Sequence, residues 1–276
     1  MDSYMTAIGI IQGRLSEPVG DRIQAFPKEA WEKEFESAST LGLTAIEWIF
    51  EDPIEKNPLW TAEGRAHIRR LAEQSRIRVD QVCADYFMEH PFFRVPDEEC
   101  EQSVSILKQL ILHSAEIGAN SIEIPLLDNS RIETEEEMQA VIKIMKDALP
   151  VAAENNLVLA FETSLEPERF VEFMRKLDHP NARVVYDIGN SASLGYNTTE
   201  EISMIGKYLS NVHVKDRSLG GSTVPLGTGN AKFGETFSAL KQAGYTGPYT
   251  LQIARGERGR ELETTRSHLD FLKKYL

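Results

Sequence analysis

Polar residues punctuate this 276-residue chain at regular places: Gln12, Glu47, Asp85, Glu123, Glu162, Asp187, His213 and Gln252 each stand at or near the end of a short apolar run. The pattern is plainest in "NVHVKD" (211–216), where apolar and polar residues alternate. Extended backbone with that alternation puts His213 and Lys215 on one side of a strand, and Asp216 and Arg217 follow at its exit. One polar strand end is ordinary, because strands must leave a core into water. A ring of carboxylates around one imidazole is different, since its members repel unless a cation sits among them. Carboxylate oxygens plus imidazole, with no thiolate, suit one divalent ion: Mn²⁺, Mg²⁺, Co²⁺ or Zn²⁺.

The segments that must position these residues alternate between β-branched runs and longer stretches of helical period, the rhythm of βαβ units. Strands are predicted at 6–12, 43–49, 78–85, 119–125, 157–162, 183–189, 211–216 and 248–253. Between them, "KEAWEKEFESASTLG" (28–42) spaces Trp31, Phe35, Ala38 and Leu41 three or four residues apart. The stretch 98–118 behaves alike and ends at Gly118, and 134–156 opens on Thr134 and Glu137, the spacing of a capping box. Pro150 is expected to kink or interrupt that last helix. Strands that alternate with helices predict a single (β/α)8 barrel over 1–276, with its site at the C-terminal face of the strands. An open doubly wound sheet is disfavoured, because "GRLSEPVGDRIQAFP" after the first strand lacks G-x-G-x-x-G.

Composition narrows the partners. Thirty basic against 43 acidic residues leave a net charge of −13, which opposes binding to nucleic acid. Two cysteines, Cys83 and Cys100, read as free thiols of a cytoplasmic protein. The opening "MDSYMTAIG" lacks the basic and apolar regions of a secretion signal, and no apolar run is long enough for a membrane span. A small-molecule partner is expected, with Trp48, Phe50 and Trp60 as candidates for an exposed oligomer face or a pocket wall.

Four motifs, "LAFET" (159–163), "VVYDIGN" (184–190), "NVHVKD" (211–216) and "GYTGPYTLQI" (244–253), together resemble the sugar-phosphate isomerase/epimerase superfamily of xylose-isomerase-like barrels. The resemblance runs from the first strand to the last. It implies one divalent metal held by Glu162, Asp187 and His213, with Gln252 at a fourth position where many members carry glutamate. It also implies a metal-dependent isomerase or epimerase of a sugar, sugar phosphate or related keto-polyol. The metal would polarise a carbonyl and its neighbouring hydroxyl, and Glu162 would remove the carbon-bound proton to give an enediolate.

Two departures qualify this. Gln252 has no useful basicity, so the usual second glutamate base is missing. Where some epimerases place a histidine three residues after the aspartate, this chain has Asn190. Lys215 is the first candidate for the missing acid/base group, with Glu47, Asp85, Glu123 and His90 behind it. Substrate contacts are expected from Gln12, Arg14, Glu47, Tyr86, His90, Glu123, Asn190 and Arg217. Tyr86, Phe87, Phe92 and Phe93 form a candidate apolar wall, and "SLGGST" (218–223) a candidate phosphate cradle. The alternatives are a metal-dependent dehydratase of a cyclic polyol or keto acid, or a non-catalytic sugar binder. The superfamily's DNA-repair endonuclease is set aside, because its site is histidine-rich and this chain is acidic.

Overall fold

A computed structural model describes residues 7–276. Eight parallel strands close into a barrel: β1 (Ile8–Ile11), β2 (Ala45–Ile49), β3 (Arg78–Cys83), β4 (Ser121–Leu126), β5 (Val158–Thr163), β6 (Ala182–Asp187), β7 (Leu209–Val214) and, after a small ladder, β10 (Tyr249–Leu251). The ladder pairs β8 (Asp216–Arg217) with β9 (Thr223–Val224) in antiparallel register. Helices α1 (Trp31–Leu41), α2 (Ala62–Ser75), α3 (Tyr86–Glu89), α4 (Asp97–Glu116) and α5 (Glu135–Glu154) lie along the first half. The second half carries α6 (Pro167–Leu177), α7 (Ile188–Leu194), α8 (Thr198–Ile205), α9 (Phe233–Gln242) and α10 (Glu261–Leu272).

Parallel strands covered by helices are buried on both faces, so they read as continuous apolar runs. Strand β4 is buried at every position. The helices turn one stripe inward; α6 buries Phe170, Val171, Phe173, Met174 and Leu177 against the sheet. The capping box is present: Thr134 Oγ1 accepts from Glu137 N at 3.2 Å, and Glu137 Oε2 accepts from Thr134 N at 3.1 Å. Helix α5 runs through Pro150 without interruption, held down by buried Ala148, Leu149 and Ala152 on either side. Trp48 and Phe50, expected at the surface, are fully buried in the core, because Phe26 and Trp31 close over Trp48 while Trp60 and Tyr86 pack on Phe50. Trp60 itself is half-buried against the same core. None of the three offers an exposed face. No helix among the described residues is long and apolar enough to cross a membrane.

The barrel interior is layered, as period-two alternation along each strand requires. One layer is a polar knot in which Asn211 Nδ2 donates to Gln81 Oε1 at 2.7 Å, and Thr250 Oγ1 bonds to both residues. Two residues further along the same strands stand Cys83, His213 and Gln252. The knot therefore forms a satisfied floor beneath the residues with chemistry.

Candidate metal and active site

Strands β2, β4, β5, β6 and β7 deliver Glu47, Glu123, Glu162, Asp187 and His213 to one buried cluster. Two groups within it have ligand atoms close enough to share an ion: Glu162, Asp187 and His213, and Glu47, Glu123 and His213. His213 belongs to both. Its Nε2 lies 2.8 Å from Glu47 Oε2 and 3.2 Å from Glu123 Oε2, which leaves Nδ1 as the ring nitrogen without a partner. A carboxylate on one ring nitrogen and nothing on the other is the arrangement that orients a ligating histidine. Asp187 divides its labour in the same way. Oδ1 caps α7 by accepting from Asn190 N at 2.7 Å, while Oδ2 has no hydrogen bond.

Buried polar atoms are normally satisfied. Here Glu47 Oε1, Glu123 Oε2, Asp187 Oδ2 and His213 Nδ1 all lack a hydrogen-bond partner, although Glu123 Oε2 has His213 Nε2 at 3.2 Å and Asp187 Oδ2 has an ammonium, Lys215 Nζ, at 3.3 Å. Such a concentration of unpaired polar atoms in one anionic cluster fits a divalent cation, which would displace the imidazole proton. The electrostatics agree. Burial, then the Glu47 and Glu162 charges, push the Glu123 carboxyl well above the ordinary range. Burial and Asp187 raise Glu162. For His213, burial alone would lower the imidazole, but Glu47, Glu162 and Asp187 outweigh it and lift the ring to about 9.

Above the cluster opens a cavity of about 690 Å³ lined in part by Asp85, Tyr86, His90, Glu123, Glu162, Asn190, Lys215, Arg217 and Gln252. Lys215 Nζ donates to Gln252 Oε1 at 2.9 Å. Gln252 in turn donates from Nε2 to Gln24 Oε1 at 3.0 Å, and Gln24 Nε2 donates to Asp85 Oδ2 at 2.9 Å. Burial lifts Asp85 to about 6, against the lowering effect of its hydrogen bonds from Gln24 and Cys83. Elsewhere in the lining, Arg217 Nη1 donates to Asn190 Oδ1 at 2.8 Å, and Asn190 Nδ2 donates to Glu162 Oε1. His90 stacks on Tyr86 with ring centroids 4.2 Å apart and reaches Asp52.

Two expected substrate contacts lie elsewhere. Gln12 Oε1 accepts from Ile49 N at 2.9 Å, tying β1 to β2, and Arg14 Nε donates to Ile253 O at 2.8 Å. Both are buried behind the cavity rather than in its lining, because their polar ends close the barrel wall. Glu47 also stands behind the lining, against His213. Of the proposed apolar wall, Tyr86 lines the cavity; Phe87 and Phe92 stack on each other in the core.

Gln24 was not singled out by the sequence. It sits in the loop after β1, where no periodicity marks it, yet it links Gln252 to Asp85. Asp216 has an architectural role that only the fold reveals: Oδ2 accepts from Gly227 N and Gly229 N, and Oδ1 from Ala231 N, all at 2.9 to 3.0 Å. A Cβ on Gly229 would stand 2.3 Å from Asp216 Oδ1, which explains that glycine in "GTGNAKFG".

Comparison with known proteins places these features in a family. The L-ribulose-5-phosphate 3-epimerase UlaE of Escherichia coli is 25% identical over 246 residues, covering 86% of this chain and 87% of that protein. D-psicose 3-epimerase from Clostridium cellulolyticum H10, solved with D-tagatose, superposes with a TM-score of 0.78 at 15% identity, covering 99% of both chains. The IOLI protein with a bound zinc atom superposes with a TM-score of 0.79 at 15% identity, again over 99% of each chain. Residues 35–275 match the family described as xylose isomerase-like TIM barrel, and the chain belongs to it.

Proposed function

We propose that the protein is a divalent-metal-dependent epimerase or isomerase of a ketose or ketose phosphate. The observation that carries this reading is the set of unpaired polar atoms on Asp187, His213, Glu123 and Glu47, gathered beneath an open polar cavity. Glu162, Asp187 and His213 would hold the ion, with Gln252 Oε1, which shares Lys215 Nζ with Asp187, as a fourth ligand. When bound, the ion supplies Lewis-acid polarisation of a carbonyl and its neighbouring hydroxyl.

The chain's own residues do the rest. Arg217 holds Asn190, and Asn190 holds Glu162, so the carboxylate is aimed rather than free to rotate. Glu162 removes the proton from the carbon beside the carbonyl as general base; its raised affinity for a proton suits that task. Lys215, bonded to Gln252 in the cavity lining, serves as the second acid/base group, a role the amide of Gln252 cannot fill. Proton return to the same carbon gives the epimer, and return to the neighbouring carbon gives the isomer. Tyr86 and His90 close one side of the cavity and limit water there. The family relatives named as sugar epimerases support the reaction class.

The reading is tested by incubating the full chain with Mn²⁺ and unlabelled ketoses in D₂O. Deuterium is expected at the carbon beside the carbonyl together with a new epimer or isomer, and Glu162→Gln should abolish both. A dehydrated product without exchange would overturn the reading in favour of a lyase.

A further inference from the structure

Within the ketose reading, on which this inference rests, we propose that the natural substrate is an uncharged ketose and not its phosphate ester. A phosphate dianion needs free N–H groups or uncommitted cations to replace its water. The cavity's cations are each committed. Arg217 gives Nε and Nη2 to Gly221 O and Nη1 to Asn190. Lys215 is shared between Gln252 and Asp187. Arg22 is held by both oxygens of Glu51, a buried carboxylate that also accepts from Phe26 N and would be left underpaired if the arginine swung away. Arg131, bound to Glu133, is exposed and leaves a dianion only one solvent-facing partner.

The glycine-rich loop after β7 gives no cradle either. Ser218 N donates to Ser222 O, Leu219 N to Asn230 Oδ1, Gly220 N to Ser193 O and Gly221 N to Ser218 O. Four successive N–H groups are thus consumed, two inside the loop and two by Asn230 and Ser193 beside it. Arg14, the other candidate, lies behind the cavity lining, with Nε on Ile253 O, Nη2 on Gln24 Oε1 and Nη1 buried without a partner. Meanwhile Asp52, Asp85, Glu89 and Asp128 line the same cavity. Like charge facing a dianion opposes it, while sugar hydroxyls donate readily to carboxylates.

The test is calorimetric titration of the full chain in Mn²⁺ with two matched pairs: L-ribulose against L-ribulose 5-phosphate, and D-psicose against D-psicose 6-phosphate. The free ketose of at least one pair is expected to bind about tenfold or more tightly than its ester, ~1.4 kcal/mol. An ester that binds as well as or better than its parent in both pairs overturns the proposal. Deuterium wash-in with the better ligand, run in parallel, reports on the ketose reading separately. Exchange on a preferred ester leaves that reading intact and sinks this inference. A preferred free ketose with no exchange sinks the reading and leaves the selectivity standing.

Discussion

Just beyond β10 an amide, Gln252, stands at the fourth position of the proposed metal site. Gln252 accepts from Lys215 and donates to Gln24, so both ends of its side chain are engaged. Gln252→Glu would add a charge beside the Glu162, Asp187 and His213 triad, and hard-cation affinity rises with the ligands' charge. Mn²⁺ titration should give a Kd lower by about tenfold; an unchanged Kd would mean that position 252 does not touch the ion. Asp85 illustrates the opposite balance between function and stability. Its folded-state value is about 6 against 3.8, so the folded protein holds the proton more tightly than the unfolded chain does. That contribution favours folding below about 3.8 and is lost as pH rises through about 6, so at pH 8 the ionised, buried acid is a net cost. Asp85→Asn should raise stability at pH 8 by on the order of 1–3 kcal/mol and give no gain at pH 3.5, read by thermal melts at both values.

Helix α7 and strand β7 show why placement of the site depends on small residues between elements. Asp187 ends β6 and caps α7, and the second residue after it is Gly189. A Cβ there would lie 2.7 Å from Lys215 Cγ and 3.0 Å from Lys215 Cβ. The helix start can approach β7 only because that atom is missing. Gly189→Ala should therefore displace Lys215 and the Asn190 contact to Glu162, costing about 1–3 kcal/mol of stability and a larger share of activity. Paired melts and turnover assays would check this, and full activity at an unchanged Tm would count against the tight contact. At this scale the sequence was largely legible. The alternation in "NVHVKD" gave a strand with His213 inside, and the Thr134–Glu137 spacing gave a helix start that forms as written. Trp48, within β2, and Phe50, just past it, were misplaced because only the packing of Phe26, Trp31 and Trp60 reveals that the outer face and exit of that strand are buried. Gln24 and the triple cap by Asp216 were illegible for a related reason: loop residues acquire meaning from partners more than ten positions away, which no local pattern encodes.

Across the whole molecule, barrel closure turns strand ends spread from residue 47 to residue 252 into one cavity over one anionic cluster. The satisfied knot of Gln81, Asn211 and Thr250 lies below, and the excess of unpaired polar atoms lies above it. That contrast supports a cation site in the upper layer. Because His213 serves two triads, the ion's position is a sharp question with two structural answers. The most direct test is anomalous scattering from crystals of the full chain grown with Mn²⁺. One strong peak is expected within bonding distance of Glu162, Asp187 and His213 Nδ1, with His213 Nε2 still on Glu47. A peak between Glu47 and Glu123, or none near His213, would contradict the metal centre described above.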